Sequence, residues 1–332
     1  NGGQADAATL GDRARLTKES VGPVDVLVLE EVISEEQVEA VADAMGLDHY
    51  AISDFSPPPE ITGAWFASLE VAVISRLPIE GAAEWDTTGR EPFGDTFGPR
   101  LSTEGIEPEL LVLDVEFGET RPSRGFLRVD LEGGWSVYAV HWKSSRGESC
   151  NAADLDNARQ REDQAAGLLL DATRVLQDGR NVIVAGDYNI QAPGRVLRVG
   201  TDVGEDCVPM GSCEGVCGPE GKDGYDDSIH RLLTVNSSAR LLSEALDETF
   251  VARSFPGGAI DHILVAGTMA EAFDAATTPS FSGELYFGSD HRPVLATVML
   301  GGEEEEGPEE RIRRLIGEIR DRLSDIEGML ED

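Results

Sequence analysis

Two β-branched runs, GFLRVDL at 125–131 and WSVYAVHWK at 135–143, are separated only by Glu132, Gly133 and Gly134. A connection this short joins antiparallel neighbours, because a parallel pair needs a crossover of a dozen or more residues. That spacing rules out a strictly repeating βαβ sheet and predicts a mixed or antiparallel one. Further strand-like runs lie at 24–32, 69–76, 109–117, 181–189, 259–267 and 292–300, rich in Val, Ile and Leu and bounded by Gly, Pro or charge. Between them, SEEQVEAVADAMG at 34–46 opens on Ser34 with Gln37 three residues on, a capping-box arrangement. Residues 154–178 carry long helical periodicity. The pattern predicts an α/β fold, a two-layered β-sandwich flanked by helices.

The 332 residues are 40% hydrophobic, enough for a real core, and no apolar run reaches the ~18 residues a membrane helix needs. The formal net charge is −36, and only Lys18, Lys143 and Lys222 among the 27 basic residues are lysine. A general nucleic-acid binder would carry a basic footprint, and none is visible. Self-repulsion of this size is relieved by salt, so the acidity fits a salty milieu or a generally acidic proteome.

Polar residues gather where the apolar runs end. Glu30 and Glu31 close the first run, His141 and Lys143 close WSVYAV, and Asp187 and Asn189 close NVIVA. Asp261 opens HILVA, while Ser289, Asp290 and His291 precede RPVLATV. Residues two apart on a strand share a face, so Asp187 with Asn189, and His141 with Lys143, can each address one target. One such strand end is unremarkable, but five carrying Asp, Glu, Asn or His point to a shared site.

These motifs resemble the endonuclease/exonuclease/phosphatase superfamily, which includes deoxyribonuclease I, abasic-site exonucleases, neutral sphingomyelinases and inositol-polyphosphate 5-phosphatases. LEE places the family's metal-binding glutamate at Glu31, and VHWKS places its phosphate-contacting histidine at His141. GDYN supplies Asp187 and Asn189, DHIL supplies Asp261, and SDHRPV supplies Asp290 and His291. The order and rough spacing hold over residues 1–300, which the resemblance makes the catalytic domain. It implies a divalent-metal-dependent phosphodiester hydrolase with a deoxyribonuclease I-like fold.

Glu31 and Asp290 would hold Mg²⁺ or Mn²⁺ through hard oxygen ligands. Asn1, thirty residues before Glu31, matches a metal-holding asparagine, which implies that the chain begins at the end of the family's first strand. His291 paired with Asp261 would handle a proton, Asp187 would orient or deprotonate water, and Asn189 and His141 would donate to the phosphate. Lys143 and Arg161, the latter in an R-x-x-Q pattern with Gln164, are candidate substrate contacts; Glu70 is a weaker candidate partner for His141. His262 is expected to pack rather than catalyse. A secreted nuclease is the leading reading, a lipid or inositol phosphate hydrolase the alternative, and a non-catalytic binding domain on the same scaffold the third.

Residues 201–228 are rich in Gly, Asp and Cys and lack periodicity. Cys150, Cys207, Cys213 and Cys217 allow three disulfide connectivities; Cys150–Cys207 with Cys213–Cys217 would tie the loop down and close a small turn. Two disulfides would indicate a secreted or periplasmic protein. KDGYDDS at 222–228 could take Ca²⁺ weakly, though without EF-hand spacing. Residues 301–310 read as an acidic linker and 311–332 as a helix. Its seam of Ile312, Ile316, Ile319, Leu323, Ile326 and Leu330 is spaced like a coiled coil and suggests weak homo-oligomers.

Overall fold

The computed structural model describes residues 5–55, 69–86, 102–117, 122, 124–144, 152–191, 228–250, 258–280 and 286–298. Asn1, the four cysteines, the 222–227 acidic stretch, and residues 301–310 and 311–332, expected above to be a linker and a helix, lie outside these residues.

The chain begins with α1 (Ala7–Val21), β1 (Val26–Val32), α2 (Glu35–Met45) and β2 (His49–Ile52). It continues through β3 (Glu70–Ser75), β4 (Ile79–Trp85), β5 (Glu109–Leu110), β6 (Phe126–Leu131) and β7 (Trp135–His141). Then come α3 (Ala152–Gln177), β8 (Asn181–Asp187), α4 (Ser228–Leu232), β9 (Arg240–Leu241) and β10 (Asp261–Ala266). Three strands form one sheet in the order β1-β3-β2, and seven form the other in the order β5-β4-β6-β7-β8-β10-β9. The larger sheet is mixed: β6 and β7 pair antiparallel across the short turn, while β7 and β8 pair parallel across α3.

Alternation along the strands builds the layers. Val71, Val73, Leu127, Val129, Val137 and Ala139 meet between the two sheets. Ala72, Ile74 and Leu29 face the opposite way, onto α1 and α2. Tyr138, Val140, Val182 and Val184 face α3, which offers Ala165, Leu168, Ala172 and Val175 at helical spacing. Burying such side chains contributes roughly 1.5–3 kcal/mol each and fixes the register of every strand.

Three details depart from the sequence reading. Residues 111–117 are not strand: the ladder with β4 ends where the Leu111 amide donates to the Glu84 carbonyl at 2.7 Å. Leu111, Leu113, Val115 and Phe117 still pack inward, which produces the strand-like alternation. Residues 292–298 make only isolated bridges, Thr277 with Leu295 and Phe273 with Val298, because they wrap the satellite core under β10 instead of adding a strand. At α2, Ser34 accepts from the Gln37 amide at 3.3 Å as a cap should, but the Gln37 side chain bonds the Ile33 amide and the Ala5 carbonyl. That ties α1 to the end of β1.

Candidate active site

The same alternation carries the polar strand ends into the space between the sheets. His141 continues the inward face of Val137 and Ala139, and Asp187 that of Ile183. Parallel register sets His141 opposite Asp187, and antiparallel register sets Asp187 opposite Asp261. Three adjacent strands therefore present a row of His141, Asp187 and Asp261 at one pole of the sandwich. Gly186 permits it: at φ +140° a Cβ there would lie 2.0 Å from the Val140 carbonyl oxygen.

β1 crosses over β7 and β8 with an irregularity between Glu30 and Val32. Val32 packs on the helix side with Leu29, so the intervening Glu31 is a bulge, held at φ +60°. A bulge of this kind turns two consecutive side chains to one face, here Glu30 and Glu31 toward the row. The described residues contain three non-glycine positions with positive φ: Glu31, Asn189 and Phe287. Glu31 and Asn189 are candidate site residues and Phe287 lies in the turn that leads to Asp290 and His291, which is where backbone strain is expected to collect.

His291 completes the cluster. Its Nδ1 lies 2.9 Å from both Asp261 carboxylate oxygens, and Phe250 packs on its ring. Thr249 anchors this corner, its hydroxyl accepting from the Ile260 and Asp261 amides at 3.0 Å and its carbonyl accepting from the Arg292 amide. Ligand atoms of Asp187, Asp261 and His291 all lie within 4.8 Å of one another. His141 Nε2 stands 3.8 Å from Asp187 Oδ2.

Electrostatics follow from burial and crowding. Burial, then repulsion from Asp261, pushes the Asp187 carboxyl up to about 7. Burial, then Asp261 and Asp187, pushes Glu30 well above the usual carboxylate range. For His291 burial acts downward, but the charge and hydrogen bond of Asp261, with the charges of Asp187 and Asp290, together outweigh it and the imidazole rises to about 10. The site thus holds a surplus of carboxylates beside one imidazolium, a charge balance that suits a hard divalent cation.

Asn189 is fixed by its neighbours. Its backbone amide donates to Asp187 Oδ1 at 2.7 Å, and its Nδ2 donates to the Trp142 carbonyl and to Asp187 Oδ2 at 3.1 and 3.0 Å. Both partners of Nδ2 are acceptors, which settles the amide orientation and leaves Oδ1 as the atom Asn189 can present. His262 is 1% exposed, meets Ser243 Oγ at 2.7 Å and donates from Nε2 to the Ile190 carbonyl, so it is packed.

Arg124, just before β6, escaped the sequence reading. Its guanidinium reaches the His141 carbonyl at 3.4 Å. Burial pulls it below its ordinary value while Glu70, Glu31 and Asp187 act the other way, so it stands as a half-buried cation among these acids. A lone arginine in a turn carries no motif; only the short β6–β7 turn, which brings Arg124 beside the His141 strand end, could have pointed to it. Glu70 is fully buried and accepts from Ser53 Oγ at 2.5 Å and the Phe55 amide at 2.9 Å. Arg161, 4% exposed, donates to the Lys143 carbonyl at 2.9 Å. Gln164 accepts from the Lys143 amide and donates to the Arg124 carbonyl, so the R-x-x-Q pair clamps the ends of β6 and β7. Asp290 adjoins His291, whose imidazole it also holds up.

The profile of the Endonuclease/Exonuclease/phosphatase family matches residues 1–291. Among solved structures, a 3′ phosphatase (NExo) from Neisseria bound to product DNA hairpin is similar at TM-score 0.51 and 17% identity, over 85% of this chain and 92% of that one. An AP endonuclease from Archaeoglobus fulgidus gives 0.51 and 15%, over 88% and 94%. The AP endonuclease LMAP from Leishmania major gives 0.50 and 14%, over 89% and 85%. No curated protein sequence matches.

Proposed function

Because the chain belongs to the endonuclease/exonuclease/phosphatase family, we propose that it hydrolyses phosphodiesters with a divalent metal ion at the pole described above, and that it is an extracytoplasmic nuclease. The observation that carries this reading is the row of His141, Asp187 and Asp261 in register, with His291 bonded to Asp261.

Glu31 and Asp290 would hold Mg²⁺ or Mn²⁺, with Glu30 adding negative charge alongside. The ion would supply neutralising charge at the phosphate. Asp187, at about 7, is tuned to take a proton from water near neutral pH. Asn189 Oδ1 is an acceptor, so its role shifts from donating to the phosphate to orienting that water. His291, raised to about 10, is a cation whose Nε2–H donates to the phosphate while Asp261 holds Nδ1. His141 and Arg124 add donors on the other side, where charge builds as the ester opens. Lys143 contacts substrate from the end of β7, and Arg161 acts through the Lys143 backbone.

The extracytoplasmic assignment rests on the four cysteines in irregular sequence. Among the described residues no helix is long and apolar enough to cross a membrane. The test is a substrate panel of plasmid DNA, RNA, sphingomyelin, phosphoinositides and bis-p-nitrophenyl phosphate, with Mg²⁺, Mn²⁺ or Ca²⁺ and across salt. Nucleic-acid cleavage with metal is expected. Turnover of sphingomyelin or phosphoinositides alone would establish the lipid or inositol alternative.

A further inference from the structure

The turn Tyr286–Ser289, which leads directly into Asp290 and His291, closes with reciprocal backbone bonds of 2.7 and 2.9 Å. Gly288 in that turn sits at φ +97°. A Cβ on it would lie 2.7 Å from Cζ and Nη2 of Arg13 and 2.9 Å from its Nε. The Arg13 guanidinium therefore lies flat against the glycine, in a space any side chain there would occupy.

Arg13 comes from α1, far away in sequence, and is half-buried. Among the described residues it makes no hydrogen bond or ion pair, in a chain with 63 acidic residues against 27 basic ones. Asp6 feels its charge, but Asp6 is exposed and its carboxylate already holds the Thr9 amide at 2.7 Å. The fold thus places a guanidinium that forms no ion pair among the described residues against Gly288, and Gly288 lies two residues, at most about 7 Å of extended backbone, from Asp290. Arg124 already serves the interior of the site. A cation beside the site has no use for a substrate with a single phosphodiester, such as sphingomyelin, but it meets a second phosphate on the same substrate, as the next one along a strand would supply.

We propose that Arg13 binds a phosphate neighbouring the scissile one, so that the substrate of this site is a polynucleotide rather than a lipid headgroup with a single phosphate. The proposal rests on the hydrolase reading above. A planar guanidinium is suited to the task because it offers paired donors to phosphate oxygens.

The test compares a short single-stranded DNA oligonucleotide with bis-p-nitrophenyl phosphate, using the full chain with Mg²⁺ and the variants Arg13→Gln and Arg13→Lys, all checked for folding by thermal melts. Arg13→Gln should lower kcat/KM for the oligonucleotide about tenfold more than for the small ester. It should also flatten the log–log salt dependence of oligonucleotide binding by about 0.7, one phosphate contact on a single strand. Arg13→Lys should recover part of both. Equal losses on the two substrates would show that Arg13 acts through the turn, and no loss on either would show that it does nothing; both results overturn the proposal. Wild-type protein that cleaves the small ester but no oligonucleotide overturns the polynucleotide assignment and leaves the hydrolase reading standing. Protein that cleaves neither removes the hydrolase reading, and the proposal with it.

Discussion

With metal chelated, replacing Asp187 by Asn should stabilise the fold at pH 8 and do so far less at pH 5. Burial, then repulsion from Asp261, raises this carboxyl from 3.8 to about 7. The folded chain therefore holds the proton more tightly than the unfolded chain. The resulting stability is fully present below about pH 4, falls as pH climbs toward 7 and is lost above it. Between pH 5 and 8 the wild type deprotonates across about two units, at about 1.4 kcal/mol each, and so gives up about 2–3 kcal/mol that the amide keeps. The new Nδ2 meets the Asn189 amide where Asp187 Oδ2 accepted at 3.0 Å. That mismatch costs about 1 kcal/mol, present at both pH values, so it cancels in the comparison. In a chain of this size 1 kcal/mol shifts Tm by roughly 2–4 °C. The variant's Tm relative to wild type should thus gain about 4–12 °C between pH 5 and pH 8, measured by thermal unfolding in EDTA. A difference that is independent of pH, or that favours the variant more at pH 5, would refute the claim that burial among like charges sets the behaviour of Asp187.

Three further outcomes are expected. Gly186→Ala should cut turnover at least ~10²-fold and lower Tm, because its Cβ would fall 2.0 Å from the Val140 carbonyl oxygen and force β7 and β8 apart beneath His141 and Asp187; near-normal kinetics would contradict this. Glu31→Gln should raise the metal concentration needed for half-maximal activity, since an amide is a poorer ligand for a hard cation, and an unchanged metal titration would remove Glu31 from the ligand set. Arg124→Gln should lower kcat/KM about 10²-fold and Arg124→Lys less, as steady-state kinetics would show; equal losses would mean that a positive charge at that position is irrelevant.

Much of this was legible in the sequence because strands obey a period of two. The apolar alternation of β7 and β8 assigns His141 and Asp187 to one face, and the three-residue turn before β7 fixes its pairing with β6. Register between strands distant in sequence was not legible, so the row formed by His141, Asp187 and Asp261 emerges only in three dimensions. The bulge that swings Glu31 out beside Glu30 has no signature in LEE. Arg124 is legible only through its neighbours, because a half-buried cation is selected by the acids folded around it. The same alternation misled at 111–117 and 292–298, where inward packing without a hydrogen-bonding partner imitates a strand. The R-x-x-Q pair was visible, but its target, the Lys143 backbone, depends on how α3 lies across the ends of β6 and β7.

The central claim is that the pole built by Glu31, His141, Asp187, Asp261 and His291 is a metal-dependent phosphodiesterase. The most direct measurement is the rate of bis-p-nitrophenyl phosphate hydrolysis by wild type, Asp187→Asn and His291→Ala, each with Mg²⁺ or Mn²⁺ and again with EDTA. Wild-type turnover that requires metal and falls 10²–10⁴-fold in both variants, with the folds intact, is the predicted result. Turnover that survives EDTA, or that persists near wild-type rates in either variant, would contradict it.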